Sequence, residues 1–177
     1  KKDDPAFQSG MGIFNWYLSF NTLEVPNANL RKAISCAIDR VTLCDYILKD
    51  GSVPSYNVLQ RGFCYGPKGT DFVDDCGSNP YDYNVDLAKE YWEKAQQETD
   101  MRSITLIYEE DNAMIASVAP YVQSAIESAL EGFTVNLQIM PKKSRIENMR
   151  TLNYQVALHR WGPDYADPTA IMAMYTE

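Results

Sequence analysis

The chain has 177 residues, and its 16 Lys and Arg against 24 Asp and Glu leave a net charge of −8. That balance argues against a phosphate-backbone partner, which needs clustered positive charge, so no nucleic acid is expected. A single histidine, His159, removes every site that needs two imidazoles, and no apolar run approaches the ~18 residues of a membrane span.

The opening Lys1-Lys2-Asp3-Asp4-Pro5 and the uncapped end at Tyr175-Thr176-Glu177 are those expected of a piece of a longer protein. Ile13 to Phe20 is rich in aromatic and aliphatic residues and stops at Asn21-Thr22, which predicts a strand. A turn at Val25 to Asn29 follows, and Asn29 is the expected N-cap of a helix through Asp39, with Leu30, Ala33, Ile34, Ala37 and Ile38 on one face. Asp39-Arg40 breaks that run. Thr42 to Leu48 resumes it as a short helix, with Gly51 as the expected C-cap.

Residues 51 to 82 carry Pro54, Pro67, Pro80 and several glycines with little periodicity, so a long surface loop is expected. Asn84 caps a helix from Val85 to Gln97 whose inward residues are Leu87, Ala88, Tyr91, Trp92 and Ala95. A strand from Ile104 to Tyr108 comes next. The helix after it, Asn112 to Leu130, contains Pro120, which predicts a kink or a late start. Gly132 ends it, Phe133 to Met140 alternates as a strand, and Pro141 opens a helix to Leu152. Tyr154 to His159 reads as a short strand. Pro168 then starts a final helix capped by Asp167. Strands alternating with helices at this spacing predict one α/β lobe over 1–177 with a largely parallel sheet flanked by helices.

Little in the sequence points to catalysis. The motifs G-x-S-x-G, G-x-G-x-x-G and G-x-x-x-x-G-K-[ST] are all absent, so no catalytic residue and no cofactor is expected. The acidic loop residues Asp71, Asp74, Asp75 and Asp82 lack the register of a calcium loop and read as a solvated face, so no metal is expected either. Cys36 and Cys44 fall in helices and read as buried free thiols. Cys64 and Cys76 bracket part of the long loop, and in an oxidising compartment a disulfide between them is expected.

One stretch stands out, His159 to Pro168, reading HRWGPDYADP. It follows a strand and precedes a helix, where open α/β sheets place ligands beyond the carboxyl ends of their strands. Two readings are open for it. Trp161 packs in the core, Asp167 caps and Asp164 is solvated, or the segment is a binding loop.

The FN at Phe20-Asn21, the run NLRKAISCAIDR from Asn29 to Arg40, NVDLAKEYWEKA from Asn84 and RWGPDYADP from Arg160 occur in that order. This set resembles the oligopeptide- and dipeptide-binding proteins of ABC importers. The resemblance implies one lobe of a type II periplasmic-binding-protein fold, the first lobe being absent, and no enzymatic activity. It implies a peptide ligand captured between lobes, with Asp164 matching the residue that anchors its α-ammonium. The backbone at Arg160, Trp161 and Gly162, with Tyr165 beside it, matches the segment that pairs with the extended peptide. Arg160 departs from the pattern, which often has glycine there, and Pro163 has no N–H to donate. The implied partners are ABC permease subunits, and the implied location is extracytoplasmic, with membrane contact only through a lipid anchor outside this segment and the segment itself a monomer. A nickel chelate, an oligosaccharide, or a sensor or adhesion role on the same fold are the alternatives.

Overall fold

The computed structural model describes Gly10, Gly12 and residues 14 to 172, apart from Ser78 and Ala166. Four strands form one sheet: β1 (Asn15–Phe20), β2 (Ser103–Glu109), β3 (Thr134–Met140) and β4 (Val156–Trp161). Their spatial order is β1-β4-β2-β3. β2 runs parallel to β3 and to β4, whereas β1 is antiparallel to β4, so the sheet is mostly parallel as expected.

The main core lies on one face. Helices α1 (Ala28–Ala37), α4 (Val85–Glu98) and α5 (Ala113–Ala129) supply Leu30, Ile34, Ala88, Trp92, Ile115 and Ile126. The sheet answers with Ile104, Leu106, Val135, Val156 and Leu158, the period-2 side of each strand. Trp92 packs edge-on to Phe133 at 5.1 Å and donates its indole N–H to the Glu131 carbonyl at 2.9 Å.

Several expectations shift by a residue or two. Asn27, not Asn29, caps α1, accepting from the Leu30 N–H at 2.8 Å, while Asn29 instead donates to Glu98. After α2 (Arg40–Thr42), capped by Asp39, the chain widens into a π-helical segment, Leu43–Leu48. Lys49, with φ 53°, takes the left-handed position expected of Gly51. The long loop holds a short helix, α3 (Phe72–Asp75). α5 starts directly after its Asn112 cap and continues through Pro120. Pro120 and Ala116 are both exposed, so water can take up the Ala116 carbonyl that lacks an N–H partner. β4 begins at Val156 because the Gln155 side chain, not a backbone carbonyl, accepts the Thr105 N–H at 2.7 Å. It runs on to Trp161, because β1 offers partners as far as Asn15.

The opposite face is covered more thinly, by α6 (Lys142–Arg150). Only Ile107, Met140 and Ala157 form its buried apolar cluster. Beside them lies a buried ion pair. Arg145 on α6 donates to Glu109 at the end of β2, through Nη2 at 3.0 Å and Nε at 3.3 Å. With both side chains 6% exposed, the pair depends on itself for solvation.

Removing one partner strands the other charge. Arg145→Met is expected to cost roughly 3–5 kcal/mol in denaturant unfolding. Arg145→Met combined with Glu109→Leu is expected to lose far less, because no charge then remains buried. Equal losses for the single and double variants would show that the pair is not the source.

Candidate functional site

β4 carries the segment of interest, and its two edges are unequal. Towards β1 it is paired along its whole length, from Val156↔Phe20 to Trp161↔Asn15. Towards β2 it is paired only at Val156 and Ala157. Beyond Ala157, among the described residues, this edge of β4 has no strand partner, and it ends at the carboxyl mouth of the sheet. A strand edge of this kind presents main-chain donors and acceptors to an incoming extended chain.

What supports the outer half of β4 is polar and comes from behind. His159 is buried on the face that α6 covers, with its Nε2 2.7 Å from the Ser19 hydroxyl of β1. The Tyr17 ring tilts against the imidazole at 5.8 Å. Burial first, and the Arg145 guanidinium second, push the His159 pKa down to about 4, so the ring is neutral at ordinary pH. Asn15, also buried, donates to the Ser55 hydroxyl and to the Asn57 and Val58 carbonyls. Tyr17 donates its hydroxyl to the same Val58 carbonyl at 2.7 Å. The long loop is thereby fastened to the end of β1 that lies beside Trp161.

Each residue singled out from the sequence can now be placed. Arg160 and Trp161 close β4 as strand residues, where the sequence suggested a loop. Arg160 lies on the core-facing side of the strand, its guanidinium 4.6 Å from the Phe14 ring centre and 5.7 Å from Trp16. Trp161 is 41% exposed, so it is not a core residue. Gly162 is half-buried and Pro163 buried, and both Asp164 and Tyr165 face solvent. Among the described residues neither Asp164 nor Asp167 has an ion-pair partner, but Asp167 is held by hydrogen bonds. The Asp167 carboxylate accepts from the Thr169 N–H at 2.9 Å and the Thr169 hydroxyl at 2.6 Å, capping α7 (Thr169–Met172). The two aspartates therefore divide into one structural and one available carboxylate.

The loop facing this segment is more ordered than its composition suggests. Asp71 is a structural residue, not part of a solvated face: its buried carboxylate accepts from Gly62 N–H at 2.6 Å and Val73 N–H at 2.9 Å. Asp74 makes a two-pronged contact with Arg61, and Asp75 accepts from the Thr70 hydroxyl. No group of His, Cys, Asp or Glu that could hold a metal occurs among the described residues.

All four cysteines are free thiols, so the bridge expected between Cys64 and Cys76 is not formed. Asp71 and the backbone bond from Phe72 N–H to the Cys64 carbonyl already close this turn. Burial, with Asp71 and Asp167 nearby, also raises the Cys64 thiol, which disfavours the attacking thiolate. Cys36 and Cys44 are buried as expected.

Sequence reasoning missed Ser19, Glu109 and Arg145. The one available signal was polar residues interrupting strand and helix positions that otherwise face inward.

Comparison with known proteins gives one consistent picture. The family model for bacterial extracellular solute-binding proteins, family 5 (middle part), matches residues 1–177. A dipeptide-binding protein of Lactococcus lactis subsp. cremoris is 30% identical over 154 residues, covering 86% of this chain but 28% of that protein. The solved pheromone receptor PrgZ, described with its mode of peptide binding, superposes with a TM-score of 0.90 at 28% identity, covering 99% of this chain and 35% of its own. Listeria monocytogenes OppA bound to peptide superposes at 0.86 with 27% identity, over 93% and 34% respectively. The chain thus spans about a third of the length of these three proteins.

The neutral His159 gives the lobe a pH signature. Its pKa lies at about 4 against 6.5 for a free imidazole, so the unfolded chain binds the extra proton across that interval. Stability is full above pH 6.5 and falls by roughly 3 kcal/mol as pH drops through about 4. Urea unfolding at a series of pH values checks this. His159→Leu should flatten the slope between those two values, and an unchanged slope would place its origin in other groups.

Proposed function

This chain belongs to the bacterial extracellular solute-binding proteins of family 5, and we propose that it is one lobe of the peptide-capturing component of an ABC importer. The observation that carries the reading is the half-paired β4, whose open edge leads from Trp161 to the unpaired carboxylate of Asp164. Main-chain pairing with such an edge binds an extended peptide without regard to its side chains. A charge-assisted contact from Asp164 to the α-ammonium then fixes the register and rejects internal protein segments, which lack that charge. Arg160, Trp161 and Gly162 contribute the pairing backbone, and Tyr165 flanks the anchor. Pro163 forces the chain to leave the strand just before Asp164, because it offers no N–H to continue a ladder.

In this reading a second lobe supplies the opposite wall, closure about a hinge traps the ligand, and the closed form is delivered to permease subunits in the membrane. The protein then works outside the cytoplasm, held to the membrane by a lipid anchor beyond this segment, and this lobe has no catalytic task. Among the described residues no helix is long and apolar enough to cross a membrane. The relatives, a dipeptide-binding protein and OppA bound to peptide, favour peptides over chelates or sugars as the solute.

Calorimetry of the full-length protein with paired free-amino and N-acetylated peptides tests the anchor. Acetylation removes the ammonium charge, so free peptides are expected to bind much more tightly. Asp164→Ala is expected to cost roughly 3–5 kcal/mol for the free peptide, as for other desolvated charge contacts, and far less for the acetylated one. Equal affinities for the two peptides in the unsubstituted protein would remove Asp164 from this role.

A further inference from the structure

The long loop and the segment after Asp164 enclose a cleft of about 550 Å³. Its walls are the rings of Phe63, Tyr65 and Phe72 with Cys64 on one side, and Asp167 and Pro168 on the other. That size falls within the ~300–1,000 Å³ of small-ligand pockets. We propose that this cleft is a side-chain subsite for a bulky uncharged residue, aromatic or aliphatic, of the bound peptide. The inference rests on the peptide reading above and adds to it a preference that the anchor alone does not supply.

Three observations define the occupant. First, the lining is mainly aromatic. The one carboxylate present, Asp167, has its Oδ1 held by the Thr169 N–H and hydroxyl, and no Lys or Arg lines the cleft. An anionic side chain would lose its water there without finding a cationic partner, and the three rings offer any ionic head nothing but apolar surface. Second, the aromatic wall is held in place before any ligand arrives. Tyr65 bridges to Asp71, Gly66 N–H donates to the Thr70 carbonyl at 2.8 Å, and Phe72 N–H donates to Cys64 at 3.1 Å. A Cβ on Gly66 would come within 2.9 Å of the Asp75 carboxylate, so the hairpin closes tightly at that point. A preformed wall of this kind avoids an ordering cost on binding.

Third, the cleft lies within reach of the anchor. Asp167 follows Asp164 by three residues, at most about 11 Å of extended chain. A bound peptide advances ~3.3 Å per residue, so with its ammonium at Asp164 the side chains of its second to fourth residues come level with the cleft. Tyr65 in this wall is 64% exposed, and Tyr165, two residues before Asp167 in the chain, is 58% exposed. Clustered exposed apolar surface marks an interaction site more often than single exposed residues do.

The test uses the full-length protein and a series of free-amino peptides carrying Phe, Leu, Ala or Glu in turn at positions two, three and four. Calorimetry is expected to show one position at which Phe binds roughly 10-fold tighter than Ala, with Glu weakest. Tyr65→Ala and Phe72→Ala should each shrink that ratio while leaving the Ala peptide's affinity unchanged. Tyr65 is mostly exposed, so its variant stays folded if Phe72→Ala does not. A protein that binds the series but shows no Phe preference at any position, or variants that weaken Phe and Ala peptides equally, would overturn the subsite alone. Failure of every peptide to bind would overturn the peptide reading and the subsite with it.

Discussion

The site depends on the one-sided support of β4. A strand inside a sheet normally exhausts its main-chain groups on two neighbours. Here β2 pairs with β4 only at Val156 and Ala157, and β1 alone carries the strand out to Trp161. The same backbone must therefore stay straight while one edge is left without a strand. That requires β1 to be rigid, and β1 is secured at both ends. Asn21 donates to the Leu152 carbonyl at 2.9 Å at one end, and Asn15 holds residues of the long loop at the other. The aromatic side chains of the opposite face add to this, since Trp16 and Phe20 pack against the main core while the Arg160 guanidinium lies over Phe14 and Trp16.

The chemistry behind the strand is polar where an apolar layer would have been the simpler choice. Glu109, Arg145, His159 and Ser19 all lie on the face that α6 covers, next to a cluster of only three buried apolar residues. A buried ion pair yields little net stability against a packed apolar substitute, but it is directional. Arg145 reaches the end of β2 through two nitrogens on one carboxylate oxygen, which fixes how α6 sits across β2. Through its charge the same guanidinium helps keep His159 neutral, so the Ser19–His159 contact stays a hydrogen bond between uncharged groups. Helix position, strand position and histidine state are thus coupled through one arginine.

How much of this was legible in the sequence follows from the range of each interaction. Helices declared themselves through caps and periodicity: Asn84 caps as read, and the helix placed from Asn112 starts there, with Asn112 itself as the cap, because a cap involves neighbours within three residues. The error at Asn29 arose where two asparagines stand two positions apart: both amides donate to the distant Glu98, and only the Asn27 oxygen reaches the Leu30 N–H. The strand over residues 154–159 was displaced by two residues for a similar reason. Gln155 pairs by its side chain with β2, and only β1, far away in sequence, sets where β4 ends. Nothing local could reveal that Glu109 and Arg145 meet, or that Asp71 turns inward while Asp74 and Asp75 remain on the surface. The loop's acidic composition was visible, whereas its division of labour was not.

The residues that carried the resemblance prove, one by one, to be mostly structural. Asn21 ties down the end of β1, and Arg31 donates to the Val25 and Pro26 carbonyls before α1. Asp39 caps α2, and Arg40 holds the end of α1 while covering Tyr56. A motif made of such contacts specifies how the lobe is built and says little about what it binds. Ligand preference must then be written elsewhere, in residues free of structural duty. The side chains of Asp164, Trp161 and the aromatic face of the long loop meet that condition: each is exposed or lines a cleft, and Trp161, Tyr65 and Phe72 are tied in only through their backbone. On the proposed reading, chains sharing this scaffold can diverge in ligand by changing the loop from 51 to 82 while the strand edge and the anchor stay as they are. The edge would then select for an extended main chain, the carboxylate for its free amine, and the loop for the side chains between.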